Sequence, residues 1–228
     1  MLEPKDVEHF MNQARIKLTG ASDEGIKSEL YEVLKEFFED SNSWRSHLHL
    51  AVTAGLQHYT LIPRDNGQII RLMGVWDGNR FPVAAFMPEF GELEVRWPIQ
   101  VSTVIPAGQP PYQLQASNPW LVTVVENVQE PTTRENFPVA PAWALKVYSI
   151  TILDGVLGKM MAQPFKSYSN DNKSAYHLRR FRTGIQMART AAARQNTVGA
   201  QTWSFPRGWD GRTQRGNMST AFPPATTW

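Results

Sequence analysis

The segment Ala142–Met161 constrains the fold more than any other part of the chain, because it is apolar on nearly every side. Its twenty residues include only three charged side chains, which are Lys146, Asp154 and Lys159. A helix that is apolar around its whole circumference is buried in a protein core, so we expect this helix to lie inside a helical bundle. Gly155 and Gly158 each lower helix propensity by about 1 kcal/mol, which indicates close packing against a neighbouring helix.

Three other segments repeat apolar residues at helical spacing. The first follows Pro4, which suits a first helical turn, and it stops at Gly20. The second follows Ser22, a typical N-cap residue, and its apolar stripe is Ile26, Leu30, Val33, Leu34, Phe37 and Phe38. The last is capped by Asn170 or Asp171, and its apolar face is Leu178, Phe181, Ile185, Ala188 and Ala192. The first two helices, joined by a tight turn, predict an αα-hairpin that buries its stripe against other elements.

The sequence between these helical segments predicts a β module. From about Trp44, apolar residues alternate with His47 and His49, as in a half-buried strand. Further strands are predicted over Gln57–Pro63, Gln68–Trp76, Arg80–Met87, Gly91–Trp97 and Trp120–Val128. Asp65–Gly67 and Trp76–Asn79 contain the Asn-Gly and Asp-Gly pairs typical of hairpin turns. We therefore expect about six short strands.

These elements predict an α+β fold, in which a helical bundle, made of the N-terminal helix pair and two C-terminal helices, carries an inserted antiparallel β module. We divide the chain into the N-terminal helices of the bundle (1–44), the inserted β module (45–138), the C-terminal helices of the bundle (139–196) and an extended C-terminal arm (197–228). The arm has no amphipathic period, and a solvated segment cannot bury aromatic residues by itself. We expect its aromatic residues to dock on another surface in an assembly, or alternatively on the arm's own domain; they are Trp203, Phe205, Trp209, Phe222 and Trp228.

Charge is divided unevenly along the chain. Residues 1–158 carry 12 Lys and Arg against 19 Asp and Glu, a net charge of −7, whereas residues 159–228 carry 11 against 2, a net charge of +9. This division indicates an acidic partner, a head-to-tail contact between copies, or two solvated faces of opposite sign. The last helix lacks a dense basic stripe with exposed aromatics, so a dedicated DNA-binding module is a weaker alternative. Candidate residues for a DNA channel or for contacts between subunits are Arg179, Arg180, Arg182, Arg189 and Arg194.

No catalytic motif is present in the sequence. Cysteine is absent, and so are a Gly-rich phosphate loop, a Gly-x-Ser-x-Gly elbow and a His-Glu-x-x-His helix. His47 and His49 could bind a metal, but two histidines without a nearby acidic cluster are more simply polar surface, and His177 is expected on the surface as well. Three carboxylates without a visible partner for acid–base catalysis are expected on a solvated hairpin edge: Glu89, Glu92 and Glu94. We expect a protein that is not an enzyme, that binds no cofactor or metal, and that is soluble and made without export.

Several stretches, taken in order, carry a resemblance to a known family. They are Tyr59–Pro63, Gly67–Arg71, Trp120–Val128, Phe137–Val139, Ile152–Leu157, Gln163–Tyr168 and Ala175–Phe181. In this order, following the N-terminal helix pair, they resemble the head-to-tail connector (adaptor) proteins of tailed bacteriophages. The resemblance covers residues 20–196, and the arm is matched less clearly.

The resemblance implies a structural virion protein at the head–tail junction, made in the cytoplasm of the bacterial host. Members of the family form a ring, typically of twelve copies, that joins the portal protein to tail or nozzle proteins. The ring continues the DNA channel, so its contact with genomic DNA is passing, and no membrane is involved. A C-terminal segment grips the portal, and we expect Trp203, Phe205 and Trp209 to fill portal pockets as interface aromatics do. The alternative is another ring-forming tail or neck protein, such as a terminator or tube-capping component, which would assemble in the same way.

Overall fold

The structure is a computed structural model of the 228-residue chain. It describes residue 2 and the ranges 4–53, 56–63, 67–78, 80, 82–95, 119–129 and 139–195. Contacts divide the chain into a compact unit, Met1–Ala193, and a second unit, Arg194–Trp228. The predicted arm and its aromatic residues lie outside the described residues.

The helices lie in the predicted order, two before the strands and the others after them. They are α1 (Pro4–Lys17), α2 (Asp23–Ser41), α3 (Ala142–Val147), α4 (Ser149–Met161) and α5 (Asp171–Gln195). The predicted N-cap of α2 is confirmed, because the Ser22 hydroxyl accepts a hydrogen bond from the Gly25 N–H at 3.2 Å. Asn170 caps α5 in the same way, since its side-chain oxygen accepts from the Lys173 N–H at 2.9 Å.

Four of these helices, α1, α2, α4 and α5, form an antiparallel bundle. A tight turn through Gly20, whose φ is +90°, reverses the chain between α1 and α2. A Cβ on Gly25, in the first turn of α2, would lie 3.8 Å from the Met160 Cε near the end of α4. A Cβ on Gly184 of α5 would lie 2.3 Å from the Thr151 Cγ2 near the start of α4. Chain direction therefore alternates along the bundle.

The predicted close packing at the glycines of α4 is confirmed. A Cβ on Gly155 would lie 2.6 Å from the Val33 Cγ1 of α2 and 3.0 Å from the Phe181 Cδ2 of α5. A Cβ on Gly158 would lie 2.8 Å from the Leu178 Cγ. Because such contacts leave no room for a side chain, the two glycines allow α2 and α5 to approach α4 closely.

The predicted helix over Ala142–Met161 is bent into α3 and α4, which meet at Tyr148. The Tyr148 backbone leaves the helical region, with φ −113° and ψ 21°. Helical hydrogen bonds continue through the bend, because the Tyr148 N–H still donates to the Ala144 carbonyl and the Ile152 N–H to the Tyr148 carbonyl. The tyrosine ring packs 5.1 Å from the Phe37 ring, centroid to centroid, and so joins the bundle core.

Burial along this segment is less complete than predicted. Residues 152–158 are buried, as expected for an apolar core helix. Val147 and Ile150, however, are each 65% exposed. The prediction of burial on nearly all sides is therefore wrong where α3 meets α4, because none of the described residues covers these two side chains. None of the helices in the described ranges is both long enough and apolar enough to cross a membrane.

The strands form two antiparallel three-stranded sheets. They are β1 (Arg45–Leu50), β2 (His58–Thr60), β3 (Gln68–Trp76), β4 (Ala85–Phe86), β5 (Glu92–Val95) and β6 (Trp120–Asn127). Their orders are β1-β6-β3 and β2-β5-β4. Both sheets contribute to one hydrophobic cluster, whose buried members are Tyr59, Leu61, Ile69, Val75, Leu93, Val95, Val122 and Val124. The α+β fold, with a helical bundle that carries an inserted β module, is confirmed.

One of the two predicted hairpins is confirmed and the other is wrong. The Arg80 N–H donates to the Asp77 carbonyl at 2.9 Å, and Trp76 forms a bridge with Pro82, so the chain reverses there. Residues 64–66 lie outside the described residues, but the predicted pairing of the strands on either side is wrong, because β2 pairs with β5 whereas β3 pairs with β6. A local turn signal marks a change of direction, but the strand that becomes the partner depends on the rest of the sheet.

Candidate interaction surfaces

The five arginines predicted as contact residues all lie on α5, and all are exposed. They do not form a single stripe. Residues three or seven apart share a helix face, so Arg179, Arg182 and Arg189 lie on one flank of α5, here named the arginine flank. Arg180 follows Arg179 by one position and lies on the other flank, and Arg194 lies in the last turn.

The arginine flank borders an open cleft between α2 and α5, with a volume of about 770 Å³. Glu36 and Asp40 line the α2 side, and Arg179 and Arg182 line the α5 side. Glu36 is paired elsewhere, since its Oε2 lies 2.8 Å from the Lys159 Nζ of α4. The cleft therefore presents both signs of charge to solvent, which suits a charged protein surface better than a uniformly anionic nucleic acid backbone.

On the other flank, a buried carboxylate ties α5 to α4. The Asp154 Oδ1 lies 2.7 Å from the His177 Nδ1, and the Asp154 Oδ2 lies 3.1 Å from the Arg180 Nε. The Arg180 guanidinium also lies 5.6 Å from the centre of the Tyr176 ring, a cation–π distance. These charge-assisted contacts fix the rotation of α5 about its axis.

The prediction that His177 is a surface residue is wrong. Its side chain is 13% exposed and faces Asp154 across the seam between α4 and α5. A sequence signal for this contact exists, because Asp154 is the acidic residue in an otherwise apolar helix and a buried carboxylate needs donors. His177 and Arg180 are three residues apart and so share the face that supplies them.

Exposed apolar side chains extend the same seam. Ile150 precedes Asp154 by one turn and Met187 follows Arg180 by two turns, so both lie on the side where those two residues meet. Met187 is 68% exposed, and Val147 lies one turn before Ile150. The seam thus combines apolar residues with tyrosine and arginine, a composition typical of protein interfaces.

The acidic helix α2 lies on the far side of α4 from these exposed apolar residues. Lys159 of α4 points toward α2, where it pairs with Glu36. Ile150 precedes Lys159 by about two and a half turns, so its side chain leaves α4 from the opposite side. The exposed apolar residues and the carboxylates of α2 therefore lie on different sides of the bundle.

Helices α2 and α5 carry equal and opposite net charges. Helix α2 has seven carboxylates and two lysines, a net charge of −5, and α5 has six basic residues and one aspartate, a net charge of +5. Burial raises the pKa of Glu29 in α2, and the nearby carboxylates of Glu32 and Glu36 raise it further, against the lowering effect of Lys159. The carboxylates of α2 thus repel one another within the folded chain.

The histidines and carboxylates of the β module form no such cluster. His47 and His49 are exposed on β1, and the His47 Nδ1 lies 2.9 Å from the Thr123 Oγ1. The Glu94 Oε2 of β5 lies 3.9 Å from the His58 Nδ1 of β2. Within the described ranges, no three His, Cys, Asp or Glu side chains are grouped so that they could hold a metal ion.

Comparisons with known proteins do not place the chain in a family. No protein-family model matches it, and no curated protein gives a significant match. What the chain does must therefore be inferred from its own architecture and surfaces.

Proposed function

We propose that the chain is a head-to-tail connector of a tailed bacteriophage, a structural protein that forms a ring between portal and tail and continues the DNA channel. The observation that carries this proposal is the architecture. An antiparallel helical bundle holds a two-sheet β module between α2 and α3, and connector proteins are similar in having a helical bundle with an inserted β module. Because a fold alone does not specify a function, the surfaces must support assembly as well.

The seam between α4 and α5 supports a role in assembly. Ile150 of α4 and Met187 of α5 remain exposed there, and so does Val147 at the end of α3. Apolar residues that are exposed together, beside polar groups, mark sites of protein association. We propose that the chain completes this burial among copies and neighbours in the particle.

The charged surfaces support passing contact with DNA better than dedicated binding. Asp154 compensates the charge of Arg180. Across the cleft, the carboxylates of Glu36 and Asp40 face Arg179 and Arg182 and oppose the approach of phosphates. A protein that reads or wraps DNA needs a continuous basic surface, whereas a channel wall does not.

We propose that the arm, residues 197–228, anchors the ring on the portal through Trp203, Phe205 and Trp209. Interface aromatics of this kind supply most of the binding energy when they fill pockets. A chain truncated after Thr197 should keep the thermal stability of the bundle but fail to join portal-containing heads in co-sedimentation. If the truncated chain still joins the heads, the arm is not the anchor.

Size-exclusion chromatography with and without the portal protein of the same genome tests the function. We expect the isolated chain to be monomeric or loosely associated and to form a ring on the portal. A parallel titration with duplex DNA should show little affinity, whereas a dedicated binder would lose affinity steeply with salt, by about one counterion per phosphate contact. Absence of a ring on the portal overturns the connector, and strong salt-dependent DNA binding would then favour a dedicated DNA-binding protein. An image of the assembled neck separates a connector from a terminator or tube-capping protein by its position along the virion axis.

A further inference from the structure

Four charged side chains on α2 and α5 form no ion pair with any described residue. Glu32 and Glu39 of α2 are exposed, and so are Arg182 and Arg189 of α5. In the part of the chain that the structure describes, none of these four side chains takes part in an ion pair. By contrast, Glu36 is compensated by Lys159 within the bundle. Two acidic and two basic groups are therefore available to a partner.

The acidic pair and the basic pair have the same spacing. Seven residues separate Glu32 from Glu39 and also Arg182 from Arg189, which corresponds to about 10.5 Å along a helix axis. Because seven residues make nearly two full turns, each pair lies along one line of its helix. Two helices packed side by side can therefore place both carboxylates opposite both guanidiniums at once.

The two pairs do not meet within one chain. The α2 residues that line the cleft beside α5 are Glu36 and Asp40. Glu32 and Glu39 lie on either side of Glu36 on the helix surface, but neither of them lines the cleft. Glu32 shares the direction of Glu39 and, like it, faces solvent outside the cleft. Since no described residue pairs with them, a second molecule can supply their complement.

We propose that α2 of one copy docks on the arginine flank of α5 of the next copy, so that Glu32 and Glu39 face Arg182 and Arg189. This inference rests on the proposed function and names the contact between neighbouring copies of the ring. A second copy is the partner because this chain carries both complementary faces, with net charges of −5 and +5. Any other acidic partner, a nucleic acid included, would leave Glu32 and Glu39 of α2 uncompensated, whereas a second copy compensates both pairs. A contact between two different faces is heterologous, which is the geometry that closes into a ring.

Sedimentation velocity with charge-reversed full-length chains tests the contact. One variant combines Glu32→Lys with Glu39→Lys, and the other combines Arg182→Glu with Arg189→Glu. The wild-type chain should associate at low salt, and salt should weaken the association. Each variant alone should associate more than about tenfold more weakly, because like charges then face each other.

An equimolar mixture of the two variants should restore association. In the mixture, the reversed α2 of one variant meets the reversed α5 of the other, so opposite charges face each other again. Within each single chain, α2 and α5 still carry charges of the same sign at the substituted positions. Rescue therefore cannot come from repair within one chain. A control with Glu89→Lys and Glu92→Lys changes the net charge as much as the α2 reversal does, at exposed positions of the β module, and should associate like the wild type. Thermal denaturation establishes that every variant is folded.

The outcomes separate this contact from the function on which it rests. A mixture that fails to recover, or a control that associates as weakly as the α2 variant, overturns the contact. A wild-type chain that forms pairs and nothing larger overturns it as well, and where the free wild-type chain stays monomeric, the same comparison of variants, mixture and control is made by ring formation on the portal. If the variants still form rings on the portal as the wild type does, the contact is wrong and the connector function stands. If the wild-type chain forms no ring on the portal, the function itself fails.

Discussion

Replacing Asp154 by Asn tests whether the buried carboxylate holds α5 on α4. The Asp154 side chain is 6% exposed and contacts the His177 Nδ1 at 2.7 Å and the Arg180 Nε at 3.1 Å. A hydrogen bond to a charged group contributes about 1.5–3 kcal/mol. The Arg180 side chain is 46% exposed, so water replaces much of its contact. Because Asn keeps an oxygen that can accept from the His177 Nδ1, the substitution removes the charge and not the whole hydrogen bond, and we expect the free energy of unfolding to fall by about 1–2 kcal/mol.

Equilibrium urea denaturation, followed by far-ultraviolet circular dichroism, measures this loss. The matched control is Asp23→Asn, the same chemical change at a carboxylate that pairs with Arg15 at 2.6 Å on the surface. Because both partners of that pair are about half exposed, the control should lower stability much less. Equal losses in the two variants, or no loss for Asp154→Asn, would refute the reasoning. In that case the Asp154 contacts would be a consequence of helix packing and not one of its causes.

Two further predictions concern packing and ionisation in the bundle. Gly158→Ala places a Cβ 2.8 Å from the Leu178 Cγ and 3.0 Å from the Leu178 backbone nitrogen. Overpacking costs about 1–3 kcal/mol, whereas the gain in helix propensity is about 1 kcal/mol, so the urea concentration at the midpoint of unfolding should fall. A higher midpoint would mean that α5 moves away from α4 at little cost. Glu29→Gln removes a carboxyl group whose pKa burial raises above 4.5 in the folded state. Because the folded chain then holds this proton more tightly than the unfolded chain, wild-type stability falls as the pH rises from 4.5 through the raised pKa. The Gln variant should lack this fall in stability and should be more stable than the wild type at neutral pH. If urea denaturation gives the same pH profile for both chains, the pKa of Glu29 is not raised in the folded state.

The order of elements could be predicted because the period of the apolar residues depends on secondary structure alone. The caps at Ser22 and Asn170 could be predicted for a similar reason, since a cap joins residues that are three positions apart. The close contacts of Gly155 and Gly158 could be predicted because glycine destabilises a helix and is found inside one mainly where a neighbouring element packs closely against it.

Pairings between distant segments could not be predicted in this way. The face of α5 that meets Asp154 depends on how two helices are rotated against each other, and the Ser174 hydroxyl contributes by donating to the Gly158 carbonyl at 2.7 Å. The partner of β2 depends on both sheets, so the turn signal at Asp65–Gly67 was insufficient. Phe165 has a φ of +62° and is fully exposed between α4 and α5, a conformation that residue type alone does not indicate.

The strength of the proposed contact between copies has a consequence for the order of assembly. Ion pairs between exposed side chains contribute about 0.2–1 kcal/mol each, so Glu32 and Glu39 together with Arg182 and Arg189 cannot hold two free chains for long. An arm bound to the portal would keep neighbouring copies close and so raise their effective concentration. Under that constraint, charges that contribute little affinity still decide which faces meet, because like charges exclude the wrong register. Binding of each copy to the portal should therefore precede closure of the ring, with α2 and α5 setting the orientation of each copy relative to the next.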